Sequence, residues 1–344
     1  MKLKPLAEQV ILITGATSGI GLTTARMAAR KGAKVVLVAR NRQALEELTD
    51  ELNASGNKAI FSEVDVSDEA ALQQAATAAI QRFGRIDTWV NNAGVSIYGK
   101  ITEISMEDQR RLFETNFWGV VLGSRIAVQH LAARGGAIIN IGSVLSDRAI
   151  SLQGTYSASK HAVKGFTDAL RMELEQDNLP ISVTLIKPSA INTPYPQHAK
   201  NYQEKEATLP PPVFAPDLVA EAILHCAENS VRDFTVGEGK LLGAMGQVAP
   251  RLMDKMMEKD MSKRQFKDEP KPSSQPDGLY QTQSALQERG EYEGMVLENS
   301  LLQKAKLNPV LAGVALVGGG VALAALLSGK KKQIHTDETE DIDF

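Results

Sequence analysis

From Val10 to about Gly237 the chain alternates short aliphatic, β-branched runs with longer stretches of helical period. VILIT (10–14), KVVLVA (34–39), KAIFSEVDV (58–66), IDTWVNNAG (86–94), GAIINIGS (136–143), ISVTLIKP (181–188) and DFTVG (233–237) read as seven strands, some with their closing turns. The stretches between them read as helices. Asn41 is placed to cap one in which Leu45, Leu48 and Leu52 share a face, and Ser67 or Asp68 to cap the next. A long helix is expected from about Ser105 to Ala133, with Ser105 and Asp108 at capping-box spacing. The helix carrying Tyr156 and Lys160 ends before Pro180, and DLVAEAILHCAE (217–228) forms another. Strands apolar along their whole length imply burial on both faces. With the strand–helix alternation, they predict an α/β fold: a doubly wound parallel sheet flanked by helices.

The pattern changes beyond Gly237. Residues 240–258 read as one or two short amphipathic helices broken by Pro250. Residues 260–300, rich in charge, Pro, Gln and Ser, read as a linker. VLAGVALVGGGVALAALL (310–327) then carries no charged side chain and is followed by Lys330–Lys332 and an acidic tail. Eighteen residues at ~1.5 Å each approach the thickness of a bilayer, and glycines are tolerated in lipid. The organisation expected is a catalytic domain over 5–240, short helices and linker over 241–308, a membrane helix over 309–329 and a charged tail over 330–344. A buried helix is the alternative for the apolar run.

Composition is that of a globular protein, 43% hydrophobic and 23% charged over 344 residues. The net charge of −3 gives no reason to expect nucleic acid. The single cysteine, Cys226, excludes an intrachain disulfide and a Cys-based metal site, and no metal site is expected. The first residues, MKLKPLAEQVILITG, carry no signal-peptide pattern.

Candidate chemistry begins at TGATSGIG (14–21), between the first strand and its helix. Glycines there let the backbone turn sharply, and a helix N-terminus offers free N–H groups to a diphosphate. By itself the motif equally fits a plain turn; its position favours a dinucleotide. At the end of the second strand, where an NAD site places an acid for the ribose 2′-hydroxyl, stand Ala39 and Arg40, with Arg42 just beyond. A guanidinium pairs with a 2′-phosphate, so NADP(H) is expected; a solvated turn residue is the alternative. Asp65 ends the third strand, where it can meet the adenine amine or cap the next helix. Tyr156 and Lys160 lie four apart on one face of a helix, so the ammonium would lower the phenol's pKa; alone, such a pair usually marks a solvated face.

Taken together, TGATSGIG, Asp65-Val66, NNAG (91–94), Asn116 in ETNFWG, Ser143 in IGSV, YSASK (156–160) and KPSAINT (187–193) resemble the short-chain dehydrogenase/reductase family over about residues 5–240. Ser143 and Tyr156 stand at the family's spacing. Pro188-Ser189 departs from the family's usual Pro-Gly. The resemblance implies a Rossmann-like domain. It makes Tyr156 the general acid/base, has Lys160 hold the nicotinamide ribose and lower the pKa of Tyr156, has Ser143 polarise the substrate oxygen, and has Asn116 hold a relay water. Gly15, Ser18, Gly19, Ile20 and Gly21 would cradle the cofactor, with Arg40, Asp65 and Val66 at its adenosine. Asn92, Ala93 and Gly94 would line it, and Pro188, Ile191 and Thr193 would meet the nicotinamide.

The expected activity is NADP(H)-dependent hydride transfer between the nicotinamide and a carbonyl or alcohol. The rival is a non-catalytic NADP(H)-binding sensor or membrane scaffold. The insert 189–216, with Tyr195 and Tyr202, is expected to cover the substrate. Expected partners are a small, apolar carbonyl or alcohol substrate, a membrane reached through the C-terminal run with the catalytic domain in the cytoplasm, and a second or fourth copy of the chain; nucleic acid is not among them.

Overall fold

The computed structural model of the chain describes residues 2–237, 250–272, 277–282 and 286–300, together with Gln303 and Leu307. Residues 1–300 form one compact unit and residues 301–344 another. In the first unit, seven strands make a wholly parallel sheet: β1 (Val10–Thr14), β2 (Lys34–Ala39), β3 (Ala59–Glu63), β4 (Thr88–Asn91), β5 (Gly136–Ile141), β6 (Ile181–Pro188) and β7 (Asp233–Val236). They lie in the order β7-β6-β5-β4-β1-β2-β3. All seven predicted strands are present. Val10 to Ile13 and Val35 to Val38 are fully buried, as strands covered on both faces must be.

The covering helices are α1 (Gly19–Arg30), α2 (Arg42–Ala54), α3 (Glu69–Phe83), α4 (Met106–Phe113), α5 (Gly119–Leu131), α6 (Gly154–Gln176) and α7 (Pro216–Glu228). Their caps follow the local chemistry: the side chains of Asn41, Asp68 and Ser105 accept from Ala44, Ala71 and Asp108 N–H. One core layer joins Leu12, Val36 and Trp89 of the sheet to Leu72, Ala76 and Ile126 of α3 and α5. The chain reverses its direction of winding between β1 and β4. A doubly wound sheet opens its ligand crevice at that switch point, beyond the carboxyl ends of the strands.

Two regions differ from the sequence reading. The long helix expected over 105–133 is interrupted by a π turn, Glu114–Trp118, joining α4 to α5. Asn116 sits in it, fully buried, with Oδ1 accepting from Val95 N–H (2.8 Å) and Nδ2 donating to Val95 O (2.9 Å). Apolar periodicity continues on both sides, so the extra residue leaves no trace in the pattern.

The second difference is in the stretch read as a linker. Just before it, helix α8 (Pro250–Met256), in the stretch read as short amphipathic helices, and the π turn that follows it (Met257–Met261) seat Met253 and Met257 against Ile150. Phe266–Pro270 pairs antiparallel with Lys205–Ala207 of the insert. Val296–Leu297 pairs with Val213–Phe214. This stretch is bound to the catalytic unit through backbone ladders, which polar composition does not reveal. The proposed membrane run lies outside the described residues. Among the described residues no helix is long and apolar enough to cross a membrane.

Candidate active site

The crevice is closed at its base by backbone and short polar side chains. Thr14 Oγ1 accepts from both Asn92 and Ala93 N–H (3.0 Å each), and Asn92 Nδ2 donates to Thr14 O (2.9 Å) and Gly15 O (3.2 Å). These bonds fasten the 14–21 turn to the NNAG turn. A Cβ at Gly21 would lie 2.0 Å from Gly15 O, so this position can hold only glycine. Gly15, at φ +66°, needs the same freedom.

At one end, Gly15, Ser18, Arg40, Asp65, Val66 and Ala93 line a cleft with about 740 Å³ of open space, and Gly94 lies on its boundary. Asp65 is not free there. Its Oδ1 accepts from Ser67 N–H (3.0 Å) and Oγ (2.7 Å), and Oδ2 accepts from Arg111 Nη2. Burial would raise the Asp65 carboxyl, but these donors outweigh it and hold it below the usual range. Arg40 lies 3.9 Å from Asp65. Burial lowers the Arg40 guanidinium; Asp65 opposes that and Arg111 adds to it. Arg111 was not anticipated: within MEDQRRLF nothing separates it from its solvated neighbours.

At the other end a larger cleft, about 2020 Å³ of open space, contains Ile20, Asn92, Ser143, Tyr156 and Lys160, and again Gly94. Pro188, Ile191 and Thr193 form its far wall. Gly94 belongs to both clefts, which are the two ends of one groove. Gly19 lines neither, because its N–H donates to Gln287 O (2.8 Å). Ser143 follows β5 and caps a short 3-10 turn, Oγ accepting from Leu145 N–H (3.0 Å). Lys160 Nζ donates to Ile141 O (2.8 Å) and lies 5.7 Å from the Tyr156 ring centroid. Tyr156 and Tyr195 meet edge to face, 5.6 Å between centroids, and Tyr195 donates to Gln153 Oε1 (3.2 Å). Tyr202 does not line this cleft; it donates to Asp108 Oδ2 (2.5 Å) instead.

Both key groups are nearly fully buried, Tyr156 at 9% exposure and Lys160 at 4%. Burial pushes the phenol up from its ordinary value, and the hydroxyls of Tyr195 and Ser143 return part of that. Burial draws the Lys160 ammonium down to about 8. The protein alone therefore keeps the phenol protonated, whereas the tyrosine–lysine spacing suggested a lowered pKa. Desolvation by burial is the leading cause of that rise.

The groove fits a dinucleotide on its own features. A Cβ at Gly94 would make only ordinary contacts, 3.5 Å from Asn116 Oδ1 and 3.8 Å from Lys160 Nζ, so the groove floor has room at this point. Thr115 Oγ1 and Ser189 Oγ, on residues lining the two clefts, are buried without a hydrogen-bond partner among the described residues. Such orphaned hydroxyls await a ligand or water. Ser189, where Pro-Gly was usual, keeps the turn: its N–H donates to Val236 O (3.0 Å).

Comparison with known proteins agrees with this geometry. The family described as short chain dehydrogenase matches residues 9–204. An uncharacterised oxidoreductase of Bacillus subtilis (strain 168), YxnA, is 47% identical over 329 residues, covering 94% of this chain and 92% of that protein. Dehydrogenase/reductase SDR family member 7B of Bos taurus is 39% identical over 191 residues, 54% of this chain and 58% of its own. The crystal structure of an alcohol dehydrogenase from the archaeon Thermococcus sibiricus, complexed with 5-hydroxy-NADP, superposes with a TM-score of 0.59 at 26% identity, over 66% of this chain and 95% of its own. With the parallel sheet and the groove at its switch point, these matches establish that the chain is an oxidoreductase belonging to the short-chain dehydrogenase family.

Proposed function

We propose that the protein is an NADP(H)-dependent reductase of apolar carbonyl compounds, or dehydrogenase of the matching alcohols, with Tyr156 as general acid/base. The observation that carries this reading is the buried Tyr156 beside Ser143 in a cleft that it shares with Lys160 and Gly94. Bound nicotinamide would supply or accept the hydride. Gly15, Ser18, Ile20, Asn92, Gly94 and Thr193 would hold the cofactor along the groove. Ser143 Oγ and the Tyr156 hydroxyl would meet the substrate oxygen, and the phenol would give its proton as negative charge develops there. Lys160, fixed on Ile141 O, would supply the positive charge that favours the phenolate when the reaction runs toward oxidation. Asn116 would hold the 93–95 turn in register beneath it.

The preference for NADP(H) rests on Arg40 and Arg111 facing one carboxylate, Asp65, which suits an anion at the adenosine end. The substrate class rests on the reaction cleft, where Leu145, Ile150, Leu209, Met257 and Met261 make an apolar wall. Thioether side chains adapt to varied apolar shapes. A second copy of the chain would pair through the helices that carry Asn116 and Tyr156, on which Trp118 and Met172 are exposed large apolar side chains. Membrane attachment rests on the composition of 310–327 alone, and fractionating the full chain against one ending at Ser300 tests it.

The decisive experiment follows nicotinamide absorbance across ketones, aldehydes and alcohols, for the protein and for Tyr156→Phe. Turnover that disappears in the variant while cofactor binding persists supports the reading; turnover unchanged in Tyr156→Phe sinks it.

A further inference from the structure

Residues 277–282 and 286–290, well outside the family match, meet the nucleotide groove at two places. At the adenosine end, the carbonyls of Gly278, Leu279 and Gln281 accept from Arg40, and Leu279 O also accepts from Arg111 Nε (3.1 Å). The Leu279 side chain is fully buried in the cluster that holds Ile97, Ile104 and Leu112. Gly278 N–H donates to His198 O (2.7 Å), and the Tyr280 hydroxyl to Asp108 Oδ1 (2.8 Å). At the phosphate turn, Leu286 N–H donates to Thr17 O (2.7 Å) and Gln287 O accepts from Gly19 N–H. Arg26 neutralises Glu288 (2.8 Å). Gly290 seats against the nicotinamide loop so closely that a Cβ would lie 2.3 Å from Thr193 O.

Such a segment either fills the groove or covers it, and the open space decides. The adenosine cleft is lined at once by groove residues, Arg40, Asp65 and Val66, and by Gly278, Gln281 and Thr282 of the crossing segment. A filler would leave no cavity between itself and the floor. At the turn, the segment takes the Gly19 N–H, while those of Ile20 and Gly21 have no backbone partner among the described residues. First-turn N–H groups are what a diphosphate uses.

We propose that residues 277–282 and 286–290 are a clasp over the bound dinucleotide, in which Gly278, Gln281 and Thr282 complete the adenosine site and cofactor leaves only when these residues detach. This rests on the groove being the cofactor site. The 329-residue alignment with YxnA extends into this part of the chain, so the segment is not peculiar to one protein.

The test is hydrogen exchange by mass spectrometry on the full chain, with NADP⁺ and, in parallel, NAD⁺. The clasp requires slower exchange both in peptides over 14–22 and in those over 277–282 and 286–290. Faster exchange in the crossing segment while the turn slows means it competes with cofactor, and overturns the clasp. A slowed turn with an unchanged segment also overturns it. No change at the turn with either nucleotide removes the cofactor reading itself. Independently, Leu279→Asp should speed NADPH release in a stopped-flow chase about tenfold, since loss of an interface anchor appears mostly in the off-rate. Unaltered exchange over 154–176 checks that the variant is folded, and an unaltered release rate in a folded variant counts against the clasp.

Discussion

At the reaction end of the groove, Ser143, Tyr156 and Lys160 come from one stretch of chain, are buried, and rest on a strand end and a long helix. At the adenosine end, Arg40, Asp65 and Arg111 retain 26%, 31% and 19% exposure and are tied to a segment 168 residues beyond Arg111. The first arrangement suits the proposed proton transfer, with all three side chains largely withdrawn from solvent. The second is held by charges in partial contact with solvent, where salt screens each interaction. Substitutions at the reaction end should therefore act steeply on turnover, and those at the adenosine end in graded fashion on cofactor binding.

The steepest effect belongs to Tyr156→Phe, which removes the proton donor and leaves the ring packing. Turnover should fall by roughly 10²–10⁴, the usual weight of general acid–base catalysis, with cofactor Kd little changed. The pH profile sharpens this. Burial holds the phenol protonated above its ordinary value, so carbonyl reduction should stay level from neutrality into the alkaline range and fall only as Tyr156 ionises. Alcohol oxidation needs the phenolate and should rise over that same limb. Lys160, drawn down to about 8, is largely uncharged on that limb, so Lys160→Met should leave the limb in place and act on cofactor binding instead. A limb that moves to higher pH would show that Lys160 stays charged beside the phenolate.

Asn116→Ala should act next, on stability. It leaves the N–H and C=O of Val95 without their partners, at about 1–3 kcal/mol for each group that stays buried. A urea midpoint lowered at constant m-value is the expected result. A midpoint within error of the parent would show that water replaces the amide and that the π turn holds without it.

Arg40→Asp tests the other end. Losing charge-assisted hydrogen bonds, worth about 1.5–3 kcal/mol, and gaining repulsion should weaken NADP(H) roughly tenfold to a hundredfold more than NAD(H). The ratio is the readout, because loosening the 278–281 carbonyls weakens both cofactors together. Equal losses would leave Arg40 as an anchor for that segment and nothing more.

What was legible follows the same division. The seven strands could be read because two-sided burial writes an unbroken apolar run, and the caps at Asn41, Asp68 and Ser105 because short oxygens before a helix have a local purpose. Ser143, Tyr156 and Lys160 could be placed because their elements were. Arg111 could not, since its partners Asp65 and Leu279 are distant in sequence and its neighbours are equally polar. The crossing segment was read as a linker because it grips through backbone carbonyls, which no side-chain pattern records, and among its described residues buries a single large apolar side chain, Leu279. Asp65, read as meeting adenine or capping the next helix, lines the adenosine cleft with its carboxylate engaged by Arg111 and Ser67, a competition that appears only once α4 is in place.

The smallest expected effect separates two neighbouring arginines that sequence alone groups together. Arg42 is 64% exposed, bonds Glu46 one helical turn away (2.8 Å), and lies over the Phe61 ring rather than the groove. Exposed pairs of this kind contribute little. Arg42→Ala should therefore change the Kd for NADP(H) by less than about twofold and leave the NADP(H)-to-NAD(H) ratio where it was. A shift in that ratio comparable to the one from Arg40→Asp would mean that the 2′-phosphate lies outside the cleft bounded by Arg40 and Gly278, on the solvent side of α2. The clasp would then have no adenosine beneath it, so this mild substitution bears on the groove's whole direction.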